Sequence, residues 1–146
     1  MSPIRRFDHV GVTVRDLDTV TDFFVELGFE IEGRTVLAGE FLDTVVGIPD
    51  GRTEMVVLRL PGGGTGLELS RFLHPDDAPG PTDPMPTEPG LRNVTFEVDD
   101  LAAVLDRLAA GGHQLVGGVG QHENSWRMAS VRGPEGVIVN LAEQIG

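Results

Sequence analysis

Residues 7–17 read Phe-Asp-His-Val-Gly-Val-Thr-Val-Arg-Asp-Leu, and residues 91–101 read Leu-Arg-Asn-Val-Thr-Phe-Glu-Val-Asp-Asp-Leu. The second stretch repeats the first 84 positions later, with Val10/Val94, Val14/Val98, Asp16/Asp100 and Leu17/Leu101 identical. The register holds through to Gly28/Gly112. A duplication of this kind lets equivalent positions be compared copy against copy. Both stretches alternate as half-buried strands do. Val10, Val12 and Val14 share one face, and His9, Gly11 and Thr13 the other. In the second copy Val94, Phe96 and Val98 oppose Asn93, Thr95 and Glu97. An aspartate follows each strand, suited to cap a helix. Leu17, Val20, Phe23, Phe24 and Leu27, then Leu101, Val104, Leu105 and Leu108, repeat at helical spacing. Gly28 and the pair Gly111-Gly112 stop the two helices.

Outward from these anchors, alternating or apolar runs predict strands at 29–37, 54–60 and 66–72 in the first copy. Their counterparts fall at 113–116, 126–132 and 137–143 in the second. Residues 40–48, with Phe41, Leu42, Val45 and Val46, fit a short amphipathic helix or a folded loop. Residues 74–90 hold six of the ten prolines, too many for a helix or a central strand. The division expected is a module at 1–73, a proline-rich linker at 74–90 and a second module at 91–146. Each module reads strand-helix-strand-strand-strand. The fold class expected is α+β: two tandem βαβββ modules forming a cupped eight-stranded mixed sheet around a central cleft, with helices outside.

Composition narrows the chemistry. The chain has no cysteine, which rules out thiolate metal sites and thiol nucleophiles. It has no lysine either, so all 11 basic residues are arginine and Schiff-base chemistry is absent. A net charge of −12 argues against nucleic acid and favours a cationic ligand. No apolar run has the length of a membrane span, and no secretory leader pattern opens the chain, so a cytoplasmic location is expected.

The last strand of each module also has a counterpart, Leu67-Glu-Leu-Ser70 against Val139-Asn-Leu-Ala142. Strand parity puts Glu68 and Asn140 opposite the leucines and valines that flank them. The expected floor of the cleft is therefore His9, Glu68, Asn93 and Asn140, one from each inner strand.

These motifs, together with Arg132-Gly-Pro-Glu-Gly-Val-Ile-Val-Asn-Leu-Ala142, give the chain a resemblance to the vicinal oxygen chelate superfamily. That superfamily holds glyoxalase I, extradiol dioxygenases, fosfomycin resistance enzymes and bleomycin resistance proteins. In its metal-using members the four matching positions carry the ligands, usually His, then Glu, Gln or His, then His, then Glu. This sequence keeps His9 and Glu68 and departs at Asn93 and Asn140. A catalytic zinc normally takes three protein ligands. A carboxamide oxygen carries no charge and suits zinc, nickel or ferrous iron poorly. The resemblance with these departures implies no cofactor, or a weakly bound divalent metal on His9 and Glu68. It also removes the carboxylate that moves the substrate proton in glyoxalase I relatives, since asparagine is no base.

Two functional expectations follow. The first is a glyoxalase/bleomycin-resistance-like protein that binds a small organic molecule, aromatic or cationic, in its cleft. The second is a metal-dependent lyase, isomerase or dioxygenase working through His9 and Glu68. The pair has two further readings: acid/base work without metal, or a relic in which two polar groups satisfy one another. Asn93, Asn140, Phe41, Trp126 and Arg127 are the expected ligand contacts. Trp126 offers a flat face for stacking, Arg127 a partner for a carboxylate, and Phe41 an apolar wall. His122 replaces a lost ligand only if its loop folds inward, and His74 and His113 are expected in solvent. The resemblance further implies a homodimer.

Overall fold

In the computed structural model of the chain, residues 2–76 and 83–146 are described. The chain divides into two compact units, Met1–Pro79 and Gly80–Gly146. Of the linker expected at 74–90, positions 77–82 lie outside the described residues.

In the first unit β1 (His9–Thr13) leads into α1 (Leu17–Glu26), β2 (Glu30–Ala38), α2 (Glu40–Val46), β3 (Arg52–Arg59) and β4 (Gly66–His74). The four strands form one mixed sheet in the order β1-β4-β3-β2. β1 runs parallel to β4, with Gly11 beside Glu68 and Thr13 beside Ser70. The other two pairings are antiparallel.

The second unit repeats the order with β5 (Asn93–Glu97), α3 (Leu101–Ala110), β6 (Gly120–His122), β7 (Trp126–Arg132) and β8 (Ile138–Gln144). Its sheet order is β5-β8-β7-β6, and β5 is parallel to β8. The eight strands are thus two four-stranded mixed sheets, the α+β class read from the duplication.

α1 and α3 start and stop as their sequences dictate. Asp16 accepts from the Thr19 amide at 3.0 Å and from its hydroxyl at 2.7 Å, and Asp100 accepts from the Ala103 amide at 3.1 Å. Each carboxylate satisfies amides that the first helical turn would leave open. At the far ends Gly28 and Gly112 take positive φ, 109° and 87°. Phe29 N–H then reaches the Phe24 carbonyl at 3.0 Å, and His113 N–H the Leu108 carbonyl at 2.9 Å. These are Schellman closures, which need a residue free to adopt the left-handed region.

The apolar faces do the packing. Val20 and Phe24 of α1 are fully buried with Val56, Leu58 and Leu69 of the sheet beneath. In the second unit Leu101 and Leu108 of α3 are buried with Val131, Val139 and Leu141. Phe24 also meets Phe23 and Phe29 edge-on, with ring centroids 5.1 and 5.7 Å away.

One local expectation is settled between its alternatives and another is corrected. Residues 40–48 resolve into a helix, seated by buried Leu42 and by Asp43, whose carboxylate accepts from the Asp50 and Gly51 amides at 3.0 and 2.8 Å. The strand expected at 113–116 is only an isolated bridge, Leu115 to Val131. Gly117 and Gly118 interrupt it, and pairing resumes at β6. Glycine in a strand has no side chain to pack and loses much backbone freedom on ordering.

Phe24→Ala should cost about 3–5 kcal/mol in urea unfolding, because it empties the centre of the first unit's core. The Asp16 carboxyl is held below its ordinary range, first by the Thr19 amide and then by its hydroxyl. A lowered folded pKa adds stability above the ordinary carboxylate range and loses it as pH falls through the lowered value. Asp16→Asn keeps an acceptor but no charge, so its melting temperature should fall less steeply with acid than that of the parent.

Candidate functional site

Strand parity decides which side chains meet. Along β1 the valines turn inward, while His9, Gly11 and Thr13 are exposed. The Gly11–Glu68 register puts Glu68 on the same face of the sheet as His9. There the His9 Nε2 lies 3.3 Å from Glu68 Oε2. The His9 side chain is 39% exposed and that of Glu68 23%, so the pair is reachable from solvent yet partly shielded.

The other ring nitrogen is also engaged. His9 Nδ1 lies 2.9 Å from Asp8 Oδ2, and Asp8 in turn pairs with Arg6 at 3.1 Å. The His9 hydrogen bond is the main cause that holds the Asp8 carboxyl below its usual range, with smaller help from Arg6 and Arg59. A neutral imidazole has a single N–H and donates to one carboxylate only. One ring nitrogen thus faces the Asp8 carboxylate and the other the Glu68 carboxylate, and the tautomer decides which of them receives the N–H. This arrangement can hold and move one proton, or contribute two donors to an ion. Asp8 was missed at the sequence level, although an acid next to a predicted functional histidine was the available signal.

In the second unit Thr95 pairs with Asn140 across β5 and β8, which puts Asn93, Thr95 and Asn140 on one face. Ser130 pairs with Asn140 from β7 and joins them. Each carboxamide oxygen accepts from a neighbouring hydroxyl: Asn93 from Thr95 at 3.0 Å and Asn140 from Ser130 at 2.6 Å. Parity already set Thr95 on the Asn93 face, whereas Ser130 was missed, its signal being its position on the strand beside Asn140. Trp126 lies on this same face by its register opposite Gln144, and is half-buried. His122 pairs with Trp126 across β6 and β7.

Arg127 is placed elsewhere. It has the opposite parity on β7, with the buried Ala129 and Val131. It lies 3.7 Å from Glu143, whose carboxylate also accepts the Leu101 amide at the start of α3 at 2.7 Å. Phe41 projects from α2 with 75% of its surface exposed, whereas its neighbour Leu42 is buried. His74 ends β4 in an exposed position, and His113 is half-buried behind α3.

Taken alone, the first unit's donors fall short of a catalytic zinc or iron site. His9 and Glu68 supply two ligands, one short of the usual three. The two amide oxygens are already committed to hydroxyls. Among the described residues no group of three or more His, Asp or Glu side chains is arranged to hold an ion.

Comparison with known proteins places this geometry. No curated protein matches the sequence significantly. Among solved structures, a glyoxalase family protein from Bacillus cereus is 36% identical, with 99% of this chain and 97% of that one covered and a TM-score of 0.94. TnmS3, an antibiotic binding protein from Streptomyces sp. CB03234, shares the fold at 22% identity, with 99% of both chains covered and a TM-score of 0.63. The trypanothione-dependent glyoxalase I of Leishmania major shares it at 17% identity, with 96% and 87% covered and a TM-score of 0.66. A sequence profile of the Glyoxalase/Bleomycin resistance protein/Dioxygenase superfamily matches residues 6–141, and the chain belongs to that superfamily.

Proposed function

We propose that this protein binds a small organic molecule on the polar sheet faces that carry His9, Glu68, Asn93 and Asn140, without a tightly held metal. The observation that carries the reading is the Ser130–Asn140 hydrogen bond of 2.6 Å. It gives a partner to the neutral amide that stands where the family resemblance implies a metal-binding carboxylate. With its oxygen accepting, a carboxamide has its NH2 end to offer, and that end suits a carbonyl or carboxylate oxygen of a ligand. Trp126 on the same face supplies a surface for a flat ring. The TnmS3 structure shows that this fold serves antibiotic binding in another protein, and the proposal extends that kind of role here.

A second reading has its own support. The His9–Glu68 contact of 3.3 Å keeps two good donors together, so a metal-dependent lyase, isomerase or dioxygenase remains the competing assignment. A homodimer in the cytoplasm belongs to the same proposal.

Two measurements separate the readings. Protein purified without chelator should carry zinc, nickel, iron and manganese far below one ion per chain, and His9→Ala should leave that content unchanged. Stoichiometric metal that vanishes in His9→Ala would establish the second reading instead. Trp126 is the sole tryptophan, so its emission reports binding without labels. Flat, cationic natural products should quench it saturably, and Asn140→Ala should weaken the best binder by about tenfold, the loss expected for one good ligand hydrogen bond. A panel without any quenching contradicts the proposal.

A further inference from the structure

The duplication exposes one position where the copies solve the same packing problem differently. Both helices end in the same backbone closure, so the residue after each glycine is equivalent: Phe29 in the first unit and His113 in the second. Phe29 is 4% exposed and stacks edge-on against Phe24 at 5.7 Å. Phe24 meets Phe23 in turn. Carried forward 84 positions, this three-ring cluster becomes Arg107, Leu108 and His113, with no aromatic carbocycle left. The His113 ring instead folds back over the helix end, where a Cβ added at Gly111 would sit 3.4 Å from its Cδ2.

The second unit is open at this place. Two adjoining clefts of about 650 and 550 Å³ share residues 112–115. The larger reaches Leu105, Asp106 and Val131, and the smaller reaches Asp83 and Arg132. Both clefts are open to solvent, and the larger has the more apolar lining. The larger cleft offers the aliphatic side chains of Leu105, Leu115 and Val131 as a wall for a flat ring.

Charge selects the kind of ring. Asp106 and Asp83 face the clefts. The C-terminal end of α3 adds partial negative charge, offset in part by Arg107 in its last turn. The one arginine in the lining, Arg132, donates to the Pro84 carbonyl at 2.8 Å. The whole chain carries −12.

We propose that these adjoining clefts form a second ligand site that takes a small aromatic ammonium ion, with the ring beside Leu105, Leu115 and Val131 and the ammonium toward Asp106. The site uses none of the residues of the His9–Glu68 pair or the two carboxamides, so it stands or falls apart from the function proposed above.

The test is a titration of the ¹⁵N-labelled full chain with benzylamine, followed by amide spectra, with benzyl alcohol and benzoate as neutral and anionic counterparts. Benzylamine should shift the amides of residues 112–116 saturably, about tenfold more tightly than benzyl alcohol, and benzoate should not bind. His113→Phe restores the first unit's residue and fills the space, so it should abolish these shifts and raise the melting temperature. Asp106→Asn should bring benzylamine down to the affinity of benzyl alcohol. Absence of saturable shifts at 112–116 up to about 10 mM benzylamine overturns the site. Undiminished binding by a folded His113→Phe overturns its location, and equal affinity for amine and alcohol in the parent overturns the charge assignment.

Discussion

The pairing of β1 with β4, and of β5 with β8, is the constraint from which the rest follows. A parallel register fixes which residues stand side by side, and the two-residue period of a strand fixes which face each one takes. One slipped residue would send Val10 and Val12 to solvent and His9 into the core. The buried valines and leucines under each helix therefore also hold the polar face in place. His9 meets Glu68 because Leu67 and Leu69 are buried on the other side of the same strand. The site is in this sense a by-product of core packing, and the core is what keeps it in register.

Much of this was legible in the sequence. The duplicated strand, the capping aspartates and the closing glycines are local signals with local causes, and each appears at its expected position. The helix at 40–46 was half legible, because its apolar pattern is too short to distinguish a helix from a loop until Leu42 and Asp43 find their partners. The interrupted strand after α3 was misplaced because its residues suit a strand individually, while the glycines beyond them break the ladder. Parity grouped His9 with Glu68 and Asn93 with Thr95. It could not say that Asp8 grips the far side of the His9 ring, since that contact depends on how a side chain turns at the strand's entrance. Arg127 shows the converse case. Its chemistry suits a ligand, but its parity commits it to Glu143 and the start of α3.

The two copies have diverged in chemistry while keeping their backbone. The first retains an imidazole and a carboxylate in contact, whereas the second presents carboxamides tied to hydroxyls. The first fills the end of its helix with phenylalanine rings, and the second leaves that place open beside His113. Backbone hydrogen bonds and glycine closures are nearly blind to such exchanges, so a duplicated frame can lose a metal ligand or a core ring without losing its fold. Superfamily membership therefore fixes the frame and leaves the chemistry to the individual side chains.

His9 and Glu68 meet on one face of the first sheet. The most direct test follows the His9 ring resonances by NMR, assigned through His9→Ala, in the parent, in Glu68→Gln and in Glu54→Gln. Glu54 alternates to the opposite face from Glu68 through its register with Arg71. Glu68→Gln should move the His9 ring signals, and Glu54→Gln should leave them in place. A His9 ring indifferent to Glu68→Gln would contradict that contact.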